Sequence, residues 1–252
     1  MNQPEDFAIG ITSFNRPNLL YKTIASIKVL DEHHPIIIFD DASTEIDYAY
    51  VFKEIPRVSI FRRDQPTGRA DFAMAQLMDL FLNTETKYLV IVDSDLIVDP
   101  EITKFICESA QTTQGIFTLF NTKSHPEYKK SGDWLFKKHI GAAGTVFHRD
   151  VLRRIRENVP ASPQYDWDWS KYLVNSGIDI MCTERSYFQH VGITFGQNSS
   201  LLSGDYGINF QGYNKSNVSN FLDEYIEKQD QMNRYLINEL ARLRESLIAS
   251  NI

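Results

Sequence analysis

The chain has 252 residues, 42% of them hydrophobic and 23% charged, a balance that suits one sizeable α/β core or a domain with a C-terminal appendage. A net charge of -7 and a sequence pI near 5.4 argue against a protein that grips nucleic acid through its phosphates. The two cysteines, Cys107 and Cys182, form neither a CxxC pair nor a dense framework, so they are expected as buried thiols of a reducing compartment.

Met1 is followed by Asn-Gln-Pro-Glu-Asp, without the charged and apolar regions of a leader, and no apolar run approaches the ~20 residues of a membrane span. The expected location is cytoplasmic, or the inner face of a membrane if a partner brings the chain there. Phe7 to Thr12 predicts a buried strand ending in the polar loop Ser13-Phe14-Asn15-Arg16-Pro17. Leu19, Leu20, Ile24, Ile27 and Leu30 recur at helical spacing. A second strand, Ile36 to Phe39, stops at Asp40-Asp41-Ala42-Ser43; a third covers Val58 to Phe61, and a helix follows over Ala70 to Leu82. A fourth strand, Tyr88 to Val92, runs into Asp93-Ser94-Asp95.

Short apolar strands alternating with amphipathic helices predict βαβ units and a mostly parallel sheet. Ligands of such sheets sit outside the carboxyl ends of the strands, so Thr12 to Asn15, Asp40-Asp41 and Asp93-Ser94-Asp95 should converge on one crevice. Later come strands over Ile116–Phe120 and Gly141–Phe147, helices over Arg149–Glu157 and Tyr165–Asn175, and a strand over Ile178–Cys182. Residues 192–213 are rich in Gly, Ser and Asn and predict a loop, with 198–212 as a lid. From Asn217 a long helix carries Leu236, Leu240, Leu243 and Leu247 at alternating four and three spacing; it packs on its own domain or pairs with a second subunit to form a homo-oligomer. The expected division is 1–215, with a nucleotide-binding half over 1–100 and an acceptor half and lid over 101–215, then 216–252.

Asp93 and Asp95, two positions apart on extended chain, point to one side and repel. A hard divalent cation with oxygen ligands would remove that repulsion and bridge to a diphosphate; a capping loop would use the same residues otherwise. Carboxylates at Asp40 and Asp41 can accept hydrogen bonds from a base nitrogen or ribose hydroxyls, or form a capping turn with Ser43.

Ile9-Gly10-Ile11-Thr12-Ser13-Phe14-Asn15-Arg16, Ile38-Phe39-Asp40-Asp41-Ala42-Ser43 and Val92-Asp93-Ser94-Asp95 resemble, in order and spacing, the donor-site motifs of family-two glycosyltransferases of the GT-A fold. The similarity extends to about Phe195. It implies a hexosyl-type transferase using a nucleotide-sugar, usually a UDP-sugar, with Mn²⁺ or Mg²⁺ held at Asp95 and Asp93 beside Ser94. It also implies base contact by Asp40 or Asp41, and a nucleotide pocket lined by Thr12, Phe14 and Arg16. Pro66-Thr67-Gly68-Arg69 resembles the segment that approaches the diphosphate: Gly68 permits close backbone approach and Arg69 offers a bidentate donor, while a plain turn is the alternative.

Gly141 to Phe147 resembles the family's small-residue strand under the donor sugar. Tyr165-Asp166-Trp167-Asp168-Trp169 resembles its Glu-Asp-x-Asp motif, with Tyr165 replacing an acid. Asp166 falls at the general base and Asp168 is its rival; Trp167 and Trp169 are candidates for stacking on sugars. His190 resembles a C-terminal metal ligand of GT-A enzymes, whereas His33, His34, His125, His139 and His148 have no such context. A polymerase's Gln-x-x-Arg-Trp is absent, so transfer of one sugar, with the family's usual inversion, is expected onto a glycan, lipid-linked or protein-linked acceptor. A sugar nucleotidyltransferase, or a non-catalytic carbohydrate-binding module on the same fold, is the alternative.

Overall fold

A computed structural model gives the fold and describes residues 7–28, 34–54, 57–110, 113, 115–191 and 206–212. The chain divides into two units, Met1–Gly212 and Tyr213–Ile252, and the first is described here. The expected C-terminal helix, the subunit pairing assigned to it, and residues 192–205 of the expected loop lie outside the described residues.

The first half follows the periodicity of its sequence. β1 (Phe7–Ser13), α1 (Pro17–Lys28), β2 (Ile36–Asp40), α2 (Tyr48–Glu54), β3 (Val58–Arg62), α3 (Ala70–Leu82) and β4 (Tyr88–Asp93) alternate in order. β1 is central, parallel to β2 on one side and to β4 on the other, and β2 pairs in parallel with β3. Strands buried on both faces read as continuous apolar runs, and here odd and even positions serve different cores. Ile9 and Ile11 pack with Leu20, Ile24 and Ile27 of α1, whereas Ala8, Ile37 and Leu89 pack with Met74, Leu77 and Phe81 of α3.

The second half continues with β5 (Leu96–Val98), α4 (Ile102–Ser109), β6 (Ile116–Thr118), β7 (Glu127–Ser131), β8 (Trp134–Lys137), β9 (Thr145–His148), α5 (Arg149–Asn158), α6 (Tyr165–Asn175), β10 (Ile180–Thr183) and β11 (Phe188–His190). Among the described residues the large sheet has the order β3-β2-β1-β4-β9-β6-β10-β8-β7. Only β9 and β8 run against its other strands. The sheet is therefore mostly parallel in direction, as the alternating pattern predicts. β5 and β11 form a separate antiparallel pair.

Two expectations, the strand over residues 141–144 and sugar stacking by Trp169, are corrected. Residues 141–144 are not strand: Gly144 turns at φ +68°, its N–H donates to the Ile91 carbonyl at 2.9 Å, and its own carbonyl accepts from Leu119 N–H at 2.8 Å. A Cβ on Gly144 would lie 2.7 Å from the Phe188 ring and 2.8 Å from Phe120 Cβ, so the small side chain makes room for protein. The described end of the expected lid, residues 206–212, packs down: Gly207 N–H donates to Gln189 Oε1 at 3.0 Å and Ile208 N–H to the Asn121 carbonyl at 2.7 Å. Trp169 is a core residue, 6% exposed and edge-on to Phe147, so it has no face for a sugar.

Candidate active site

The parallel register brings the carboxyl ends of three strands together, because Thr12 is level with Phe39 on one side and Asp93 on the other, and Ser13 with Asp40. Two loops at these ends lock to each other. Asn15 N–H donates to Ser43 Oγ at 2.8 Å, and Asn15 Oδ1 accepts from Thr44 N–H at 2.8 Å. Thr12 and Phe14 are half-buried at this edge.

Asp40 and Asp41 are both buried and both committed to protein partners. Asp40 accepts from Ser43 N–H at 2.9 Å and from the Ser43 hydroxyl, with Arg62 Nε 3.5 Å away. Asp41 accepts from Thr67 N–H at 3.0 and 2.9 Å, Thr67 Oγ1 at 2.7 Å and Gly68 N–H at 3.1 Å. Asp41 is thus the strut that shapes the Pro66–Arg69 turn, with Gly68 at φ +66°. Arg69 turns to the buried Asp71 through Nε at 3.2 Å, away from the diphosphate role its motif implies.

The most charged part of the crevice lies at the end of β4. Asp95 is buried and contacts Arg16 Nη1 through Oδ2 and His190 Nδ1 through Oδ1, each at 3.3 Å. His190 reaches it because β11 pairs with β5, setting His190 opposite Leu96, and Val191 N–H donates to the Asp95 carbonyl at 2.9 Å. Burial alone would raise the Asp95 carboxyl, but the His190 hydrogen bond and charge, with Arg16, hold it below the usual range. Asp93 has the opposite balance: burial first, then the Asp95 charge, push its carboxyl up to about 6. Ser94 between them is buried.

Among the described residues no three His, Cys, Asp or Glu side chains stand arranged to hold a metal ion. Magnesium, however, is commonly held by one or two carboxylates plus substrate phosphates, so a three-residue cage is not required. The donor set fits in kind: the Asp93 carboxyl is raised by burial and by the Asp95 charge, which a cation would offset, and Asp95 and His190 are in contact with each other.

α6 presents the second pair of acids, and its fold separates them. Asp168 Oδ2 accepts from Ser162 Oγ at 2.5 Å, a bond that ties the entering loop to the first turn of the helix. Asp166 Oδ1 accepts from the Trp167 backbone N–H at 2.9 Å, and its charge is felt at Asp93. Burial is the main cause that raises the Asp166 carboxyl above the ordinary range, opposed by the Trp167 N–H and His139. A raised carboxyl whose charge reaches Asp93 matches a general base. Tyr165, where the family has an acid, is half-buried, and burial followed by the charges of Asp93 and Asp166 raises its hydroxyl, which stays protonated.

Sequence reasoning set aside His125 and His139, yet the structure brings them together, Nδ1 to Nδ1 at 2.7 Å, with His139 stacked on Trp167. The missed signal was the turn at Gly132 between β7 and β8, a hairpin that returns the chain so that these two histidines meet.

Solved structures with this fold include residues 1–349 of S. aureus TarS, 12% identical over 75% of this chain and 62% of that chain, with a TM-score of 0.54. The same piece in complex with UDP is 11% identical over 73% and 59%, TM-score 0.54. Its complex with UDP-GlcNAc is 12% identical over 73% and 57%, TM-score 0.55. This chain spans about three fifths of the length of those structures. The likeness shows the GT-A fold. No curated protein matches the sequence significantly. The model of the family described as glycosyl transferase family 2 matches residues 8–152, more than half of the chain and all three strand ends of the crevice. The chain belongs to glycosyl transferase family 2.

Proposed function

We propose that the chain is a metal-dependent glycosyltransferase that moves one sugar from a UDP-sugar to an acceptor hydroxyl with inversion. The observation that carries this reading is the gathering of acids at one site: Asp95 beside Asp93 at the end of β4, and Asp166 at the start of α6, close enough that its charge acts on Asp93. Family membership and the UDP and UDP-GlcNAc complexes of TarS support the donor class.

In this mechanism Asp93 and Asp95, with His190, would hold Mn²⁺ or Mg²⁺, which would supply positive charge for the departing diphosphate. Thr12, Phe14 and Arg16 line the nucleotide side, and Arg16 adds a cation near the β4 acids. Asp166 takes the proton of the acceptor hydroxyl while its oxygen attacks the anomeric carbon. The new C–O bond forms as the bond to the nucleoside diphosphate breaks on the opposite face, and this single in-line displacement inverts the centre. Asp40 and Asp41 act on the base chiefly by fixing the loops around it, since their oxygens already serve Ser43, Thr67 and Gly68.

The test is calorimetric titration of UDP in chelator and in Mn²⁺. UDP should bind tighter with the metal; equal affinity in both overturns the metal role, and no binding in either overturns the donor class.

A further inference from the structure

We propose that Trp167, backed by His139 and His125, is a platform that takes the C–H face of a pyranose ring of a glycan acceptor beside Asp166. The inference deepens the transferase reading and rests on it only for what the bound sugar faces.

Trp167 is 51% exposed, and single exposed apolar side chains are ordinary on protein surfaces. What distinguishes this ring is how firmly it is held and where. Its plane stacks on His139 at 3.9 Å between centroids and 28° between planes. His139 Nδ1 lies 2.7 Å from His125 Nδ1, so segments after β6, after β8 and in α6 combine to hold one indole flat. Burial, with Lys137 nearby, holds His139 below the usual histidine range, so it is a neutral stacking partner. A ring fixed in advance loses little freedom when a ligand stacks on it.

The site also selects its ligand. Trp167 follows Asp166 directly in the first turn of α6, and Asp166 Oδ1 accepts from the Trp167 backbone N–H, so a sugar on the platform lies close to the base. A pyranose offers an apolar C–H face for the indole and hydroxyl edges for the imidazoles and carboxylate. Asp166 and Asp93 would repel the phosphate of a nucleotide stacked here. One indole is too small a surface for an acyl chain.

The indole N–H resonance of Trp167, identified by its loss in Trp167→Phe, is followed in the full chain without donor. The probes are methyl β-glucoside and methyl N-acetyl-β-glucosaminide, with sorbitol as a polyol that has no ring face. Both glycosides should move the resonance and sorbitol should not. Glycoside affinity, followed by saturation transfer, should fall on the order of tenfold or more in Trp167→Ala and less in Trp167→Tyr. An unmoved resonance, an equal response to sorbitol, or unchanged affinity in Trp167→Ala overturns the platform. UDP titration of Trp167→Ala separates the two readings. If UDP fails to bind the parent chain while glycosides still move Trp167, the donor class falls and the platform stands.

Discussion

Replacing Asp166 with asparagine isolates proton chemistry from packing, because the amide oxygen can still accept from the Trp167 N–H. Burial raises the half-buried carboxyl above the ordinary range, and its charge adds to that of Asp93. A neutral side chain therefore loses a helix-dipole contact of about 0.3–1 kcal/mol but is relieved of burial and like-charge repulsion, so folding stability should change little. Transfer should fall on the order of 10²–10⁴-fold, about 3–5 kcal/mol of barrier.

Asp168→Asn should behave the other way. It weakens the acceptor of the Ser162 hydroxyl in the first turn of α6 and should cost about 1–2 kcal/mol of stability while keeping most turnover. Thermal melts and kcat/KM on both variants make the comparison. Because the folded Asp166 carboxyl titrates above the ordinary range and only its ionised form is a base, the acid limb of kcat/KM should also lie above that range. That limb should vanish in Asp166→Asn. Near-normal turnover in Asp166→Asn refutes the base, and greater loss in Asp168→Asn means the wrong carboxylate was assigned.

Two further outcomes are expected. In chelator, the Asp93 carboxyl is raised from 3.8 to about 6, so the stability it contributes is complete below the lower value and is lost as pH rises through the upper one. Asp93→Asn should flatten that part of the melting-temperature profile, and profiles that stay parallel would refute the burial argument. Arg149 donates to the carbonyls of Leu82 at 2.8 Å and Thr86 at 2.9 Å, and to that of Thr84, tying the end of α3 to the start of α5. Arg149→Met should destabilise by about 2–3 kcal/mol in urea unfolding, and a change below about 0.5 kcal/mol would count against this clasp.

The sequence by itself determined the βαβ half. Continuous apolar runs at residues 7–12, 36–39 and 88–92, short and bounded by polar turns, read as strands buried on both faces, and the helical spacing of Leu20, Ile24 and Ile27 needs one of those faces. Polar residues at the strand ends then had to gather at one edge, because parallel strands put all their carboxyl ends on the same side. Only the tertiary structure decided what each acid does there. Asp40, Asp41 and Asp95 look alike in sequence, yet the first two hold loops and the third meets His190, a contact made by strand pairing between residues far apart in the chain.

The same holds for Asp166 against Asp168, which differ only in which neighbour their backbone turn delivers. β7 was illegible because all five of its residues are exposed and carry no apolar alternation, and with it went the hairpin that joins His125 to His139. Apolar periodicity records what must leave water, and so it locates the sheet and its open edge. The partners of a charged side chain are set by distances between segments far apart in the chain, and those exist only once the chain has folded.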